Sequence, residues 1–269
     1  MGCLDGKHAL VTGGTSGIGC ATARVLAGEG CRVTVCGRDP VRLEGAVTDL
    51  RASGAVEGSV ADVCDEASMV RTVAAASGPD GLDIVVANAG IDPMVAFGAA
   101  DVSAWRSLLE TNVLGAAVTI RAALRQMEPE GRGQVVAISS LVTREGDGSN
   151  PVYAGTKHAL EAIVDGLRRT SRGNGVRFTT IRPGVVATDM ARSHPQERLD
   201  ALARDLGLDP SAIGVLHGER LPPEMHAAIR ALHGRILLPE DVANAVLYAV
   251  TQPPGVQIDD LSIRAVADL

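Results

Sequence analysis

A chain of 269 residues, 46% of them apolar, can bury a sizeable core, and we expect its whole length, 1–269, to form one domain. Its formal charge of −7, with acids and bases interspersed, gives no electrostatic case for nucleic acid, so the expected partner is a small molecule. Two Phe, two Tyr and one Trp leave the core to Ala, Val, Leu and Ile, a composition suited to parallel strands covered by helices.

The opening MGCLDGKHALVTGG has no apolar run of the length that a signal peptide or membrane span needs, and Gly6 stands where acylation of Gly2 would want Ser or Thr. The five cysteines, Cys3, Cys20, Cys31, Cys36 and Cys64, form no C-x-x-C pair and read as small core residues in a reducing compartment. A cytoplasmic protein without a membrane partner is expected.

His8 to Thr12 is a short apolar run that ends in Gly13-Gly14-Thr15-Ser16-Gly17-Ile18-Gly19, and an apolar periodic helix, about Ile18 to Gly28, follows. Strand, glycine turn and helix in that order form a phosphate site, because backbone N–H groups and the helix N-terminus face a pyrophosphate. The second strand, Arg32 to Cys36, leads into Gly37-Arg38-Asp39. An acid at the end of that strand suits the ribose hydroxyl of NAD, and an arginine suits the phosphate of NADP. Arg38 therefore favours NADP(H) over NAD(H), although Asp39 could partly cancel its charge.

A helix over Val41 to Ala52 leads to a third strand near Val56 to Ala61, then Asp62-Val63. Asp62 suits the amine of an adenine, with helix capping as the competing explanation. Leu82 to Ala87 is the fourth strand, and Asn88-Ala89-Gly90 ends it with small residues. The pattern predicts one long helix from Val102 to Gln126 with Asn112 in its middle. Asparagine is a poor interior helix residue, so Asn112 is either at the surface or holds a water.

Gln134 to Ser139 is the fifth strand. A helix from Tyr153 to Arg172 places Tyr153 and Lys157 one turn apart on one face, so an ammonium can sit beside a phenol. A free phenol ionises near pH ~10, and a neighbouring cation lowers that value. Ser140 or Ser139 can donate to the same oxygen; the spacing to Tyr153 favours Ser140, and the two should point oppositely. The sixth strand, Arg177 to Arg182, breaks at Pro183-Gly184-Val185-Val186-Ala187-Thr188. Alternating strands and helices specify a doubly wound parallel sheet in three layers, with every motif at the strands' carboxyl edge.

Taken together, Thr12-Gly13-x-x-x-Gly17-x-Gly19, Asp62, Asn88-Ala89-Gly90, Asn112, Ser140, Tyr153-x-x-x-Lys157 and Pro183-Gly184 with Thr188 resemble the short-chain dehydrogenase/reductase family. The resemblance implies an α/β, Rossmann-type fold and an NADP(H)-dependent oxidoreductase that interconverts a carbonyl and an alcohol. It implies a catalytic tetrad of Asn112, Ser140, Tyr153 and Lys157, with Tyr153 exchanging the proton, Ser140 holding the substrate oxygen, Lys157 gripping the ribose and Asn112 holding a relay water. The implied cofactor surface is Gly13, Thr15, Ser16, Gly17, Ile18 and Gly19; Arg38; Asp62 and Val63; Asn88, Ala89 and Gly90; Tyr153 and Lys157; and Pro183, Gly184, Val186 and Thr188. A homodimer or homotetramer through the long helices is implied as well. The alternatives are an NAD-dependent alcohol or 3-hydroxy acid dehydrogenase and a non-catalytic dinucleotide-sensing regulator.

A long insertion, about residues 190–238, is expected over the substrate. It carries two amphipathic stretches, Leu199, Leu202, Leu206 and Met225, Ala228, Ile229, Leu232, that read as helices covering core. His217, His226 and His233 lack a carboxylate or cysteine at ligand spacing, so no metal is expected.

Overall fold

Short apolar runs rich in Val, Ile and Ala form the inner strands of one parallel sheet, and more polar stretches form its edges β3 and β7: β1 (His8–Thr12), β2 (Arg32–Gly37), β3 (Val56–Val60), β4 (Ile84–Ala87), β5 (Gly133–Ile138), β6 (Val176–Pro183) and β7 (Asp260–Ile263). The structure, a computed structural model, describes residues 2–78, 81–94, 97–145, 150–188, 190, 200, 204 and 236–266. The strand order is β3-β2-β1-β4-β5-β6-β7, parallel at every pairing. The chain winds outward from β1 to β3, then crosses back to β4 and winds the other way. A crevice therefore opens between the carboxyl ends of β1 and β4.

The strands alternate between two cores. Ala9 and Val11 face one side with α1 (Gly17–Gly28), α2 (Pro40–Leu50) and α8 (Pro239–Val250). Leu10 faces the other side with α3 (Glu66–Ser77), α5 (Ala116–Met127) and α7 (Pro151–Thr170). Because both faces are covered, the inner strands need no polar side, and their unbroken apolar runs follow. Phe178 on β6 is fully buried, while the sole tryptophan, Trp105, stacks on Phe97 with ring centroids 4.9 Å apart.

Two expectations need correction. The predicted helix from Val102 to Gln126 is interrupted: α4 (Val102–Leu109) passes through a π turn, Glu110–Gly115, into α5. Asn112 sits in that turn at 1% exposure, so the surface position is excluded. Gly115 permits the wider turn to pack, since a Cβ there would lie 2.7 Å from Val63. The cysteines are also not uniformly core: Cys31 and Cys36 are buried, with burial pushing both thiols up to about 12, but Cys3 and Cys64 are exposed. Beyond the six strands read from the sequence, the structure adds β7, which carries too few apolar residues to be read from its pattern, being a four-residue edge strand of mixed exposure beside Asp259 and Arg264. The amphipathic stretches and histidines between residues 191 and 235 lie outside the described residues, and no group of metal-ligating side chains occurs among those described. Among the described residues no helix is long and apolar enough to cross a membrane.

At the crevice, the backbone pairing of β1 with β4 is extended by two side chains. Thr12 Oγ1 accepts from the backbone N–H groups of Asn88 and Ala89, both at 3.1 Å, and donates to the Val86 carbonyl at 3.3 Å. Asn88 returns the link, its Nδ2 donating to the Thr12 carbonyl at 2.8 Å. Replacing Thr12 by Val keeps the shape but leaves two backbone donors unmatched, at a cost of about 2 kcal/mol. Urea unfolding of Thr12→Val should show a lower midpoint at unchanged slope; an unchanged midpoint would show that the staple contributes nothing.

Candidate active site

The glycine turn lines a cleft of about 300 Å³ together with the ends of β2 and β4. Gly13 and Gly17 adopt φ of +64° and +51°, a conformation that side chains disfavour. Gly19 is needed for a different reason: a Cβ there would lie 2.4 Å from the Gly13 carbonyl and 2.6 Å from Asn88 Nδ2. Thr15, Ser16 and Ile18 line the same cleft, and so do Val63, Asn88, Ala89 and Gly90. The turn and the start of α1 line this cleft directly, so their backbone donors face the space that an anionic ligand would take, and the cradle fits a pyrophosphate.

Arg38 and Asp62 both line the cleft, and they face each other with Arg38 Nη1 3.9 Å from Asp62 Oδ2. Asp39 also lines the cleft but makes no ion pair with Arg38. Its carboxylate accepts from the backbone N–H groups of Val41 and Arg42 and caps α2, with Pro40 following in the first turn. Asp62 Oδ1 accepts from Cys64 N at 3.0 Å, but the cap of α3 is Asp65, so Asp62 remains directed at the cleft. Sequence reasoning missed Arg42, which also lines the cleft from the first turn of α2, and Thr111 in the π turn. The cap-and-proline signal would have placed Arg42 in α2's first turn.

The helix carrying Tyr153 and Lys157 is started by Asn150, whose Oδ1 accepts from Tyr153 N at 3.2 Å. The same amide donates to the buried Asp92 at 2.7 Å, which ties the loop after β4 to the first turn of α7. Tyr153 and Lys157 are both buried, and Lys157 Nζ lies 5.7 Å from the Tyr153 ring centroid. The ammonium donates to the Ile138 carbonyl at 2.9 Å. Burial pushes its pKa down to about 8, with the carboxylates of Asp92 and Glu161 acting in the opposite direction.

Asn112 reaches this group from the π turn. Its Oδ1 accepts from Ile91 N at 2.8 Å, and its Nδ2 donates to the Ile91 carbonyl at 2.9 Å and to Thr156 Oγ1 at 3.2 Å. Both amide protons are used and one Oδ1 lone pair is left. Gly90 separates the two functional groups: a Cβ there would lie 3.3 Å from Asn112 Oδ1 and 3.6 Å from Lys157 Nζ.

The serine pair divides as the strand alternation predicts. Ser139 is buried and donates to Glu161 Oε1 at 2.6 Å, whereas Ser140 is half-buried and its Oγ accepts from Val142 N at 3.3 Å. Pro183 and Gly184 run beside them, since the Pro183 carbonyl accepts from Leu141 N at 2.9 Å. Val186 is taken up by a parallel bridge to Leu237, away from the cleft lining. Thr188 returns to the cleft, and its side chain would sit 3.2 Å from a Cβ on Gly17.

Residues 7–199 match the family model described as short chain dehydrogenase. The glycine betaine reductase ATRR of Emericella nidulans is 33% identical over 268 residues, 98% of this chain, but the chain spans only 19% of that protein's length. An uncharacterized oxidoreductase of Staphylococcus aureus is 30% identical over 270 residues, covering 99% of this chain and 100% of the relative. Among solved structures, an alcohol dehydrogenase from Thermococcus sibiricus complexed with 5-hydroxy-NADP superposes with a TM-score of 0.77 at 26% identity over 97% of each chain. A short-chain type dehydrogenase/reductase from Mycobacterium ulcerans gives 0.78 at 26% identity, over 98% of this chain and 90% of that one.

The buried ammonium has a measurable signature. Between pH 8 and 10.5 the folded lysine has lost a proton that the unfolded chain still holds, so its contribution to stability rises with pH across that window. Below it, the full cost of burying the charge, about 3 kcal/mol, is present. Lys157→Met should therefore be at least as stable as the parent at pH 7, with the difference shrinking as pH rises toward 10.5. Urea unfolding across that range measures it, and a pH-independent difference would show that the ammonium is not held in a low-dielectric site.

Proposed function

Because the chain belongs to the short-chain dehydrogenase family and is an oxidoreductase of CH–OH groups, we propose that it uses NADP(H) to interconvert a carbonyl and an alcohol on a small or medium organic substrate. The observation that carries this reading is the buried pair on α7: a phenol and an ammonium on one helix face, joined to the glycine cleft through Gly90. The bound cofactor supplies the hydride. Tyr153 exchanges the proton with the substrate oxygen, and the Lys157 charge lowers the cost of its phenolate. Ser140 holds the substrate oxygen, the remaining lone pair of Asn112 Oδ1 is the acceptor it offers to a relay water, and Thr188 steadies the carboxamide.

The cofactor choice rests on Arg38. Gly37 leaves the end of β2 without an acid, and a phosphate there would compete with Asp62 for the guanidinium, with Arg42 as a second cation on the same wall. The Thermococcus sibiricus enzyme, solved with an NADP analogue, supports the same choice. One domain over the whole chain, the segment 190–238 over the substrate and a cytoplasmic homodimer or homotetramer belong to this reading. Exposed Val102, Leu109 and Leu114 beside the π turn suit such an assembly.

Thermal-shift titration with NADPH and NADH tests the cofactor, since a ligand at a hundred times its dissociation constant adds about 2.7 kcal/mol to the folded state. NADPH alone should shift the protein, and Arg38→Asp should weaken NADPH far more than NADH; equal losses would remove Arg38 from the phosphate. The chemistry is tested by NADPH consumption with butanal, benzaldehyde and ethyl acetoacetate. Tyr153→Phe should abolish turnover and keep the NADPH shift, and retained turnover would take Tyr153 out of the acid role.

A further inference from the structure

Behind Ser140 a carboxylate holds the stretch of chain from which that serine projects. Glu161 lies one helical turn beyond Lys157 on α7. Its Oε1 accepts from Ser139 Oγ at 2.6 Å, Thr143 Oγ1 at 2.8 Å and Arg182 Nε at 2.9 Å, and its Oε2 accepts from Arg182 Nη2 at 2.9 Å. The Arg182 side chain is 5% exposed and that of Glu161 12%, and Arg182 continues to Asp260 on β7. One carboxylate thus joins α7, the exit of β5, β6 and, through Arg182, β7.

Two of its partners flank Ser140 in the chain. Ser139 precedes it, and Thr143 closes the turn behind it, the Thr143 hydroxyl also lying 2.9 Å from the Ser140 carbonyl. A carboxylate has about two acceptor positions on each oxygen; here three donors converge on Oε1, the one Thr143 proton being shared with the Ser140 carbonyl, and one falls on Oε2, so partners on both oxygens fix its orientation. A buried ion pair of this kind is weak evidence for stability, because packed apolar residues often do as well. What an apolar pair cannot do is hold two hydroxyls on either side of a third. The arrangement commits Ser139 to Glu161 and leaves Ser140 as the serine of the pair that the carboxylate does not take up.

We propose that Glu161, held by Arg182, is a positioning residue for the reaction: it fixes the segment 139–143 so that Ser140 presents its hydroxyl on the side of Tyr153 and Lys157. The inference rests on the roles given above to Ser140 and Tyr153.

A double-mutant cycle tests it, using the same three carbonyl compounds. Glu161→Gln keeps the size and removes the charge that Arg182 grips. It should lower kcat by about tenfold to a hundredfold, as small misplacements of reacting groups do, with NADPH affinity from thermal shift unchanged. In a Ser140→Ala background the same change should lose most of its effect, because its positioning part acts through that one hydroxyl and only the effect of its charge on Lys157 remains. Ser139→Ala, a smaller lesion, should move kcat in the same direction with the same non-additivity, and it carries the test if Glu161→Gln does not fold. A wild-type kcat per folded molecule, or losses that multiply in the Ser140→Ala background, would overturn the proposal and leave Glu161 a structural residue. A silent Ser140→Ala, or turnover by Tyr153→Phe, would instead strike at the reading of the reaction, and the positioning role would fall with it.

Discussion

The constraint that the rest of this structure serves is the burial of one ammonium. Lys157 is 4% exposed, and its charge is held between the Ile138 carbonyl and the more distant carboxylates of Asp92 and Glu161. An unpaired charge in such a place would neutralise itself, and the depressed pKa shows how far the site has gone in that direction. The two acids come from different elements and restrain that tendency. Each is fixed by its own hydrogen bonds, Asp92 by Asn150 and Met94 N, Glu161 by Ser139, Thr143 and Arg182. Elements that meet at the sheet's carboxyl edge are therefore drawn to the same few ångströms by electrostatics as well as by packing.

The cleft solves the opposite problem. An anionic ligand needs backbone donors that are exposed but ordered, and the glycine turn supplies them only because β1 and β4 are locked beneath it by Thr12 and Asn88. Gly90 is where the two regions meet. A Cβ there would crowd Asn112 Oδ1 at 3.3 Å and touch Lys157 Nζ at 3.6 Å, so a glycine keeps the space between the cleft and the ammonium free of side chain.

Much of this was legible in the chain itself, for reasons that can be named. Strands buried on both faces announce themselves as apolar runs, and glycines with positive φ stand at turns where few other residues serve. The Tyr153 and Lys157 spacing follows directly from helix geometry. What escaped was non-local. The carboxylate that takes up Ser139 and the pairing of Glu161 with Arg182 depend on partners 22 and 21 residues away, on another helix or strand, whereas the cap made by Asp39 is local and its Asp-Pro signal stands in the chain. The π turn escaped because the apolar period continues through it, and only the buried amide of Asn112 marks the site. Strand β7 escaped because an edge strand of four residues carries its charges outward.

That π turn also sets an angular offset. In an α-helix successive residues are about 100° apart, so one extra residue in Glu110–Gly115 turns everything before it by roughly that angle relative to α5. The apolar face of α5 stays on the sheet, while Val102 and Leu109 of α4, with Leu114 in the turn itself, point outward. The same insertion that brings Asn112 inward thus decides which side chains the segment shows to its surroundings. Surface and interior are geared together here, and a one-residue deletion in this stretch would change both at once while leaving the composition of each helix almost untouched.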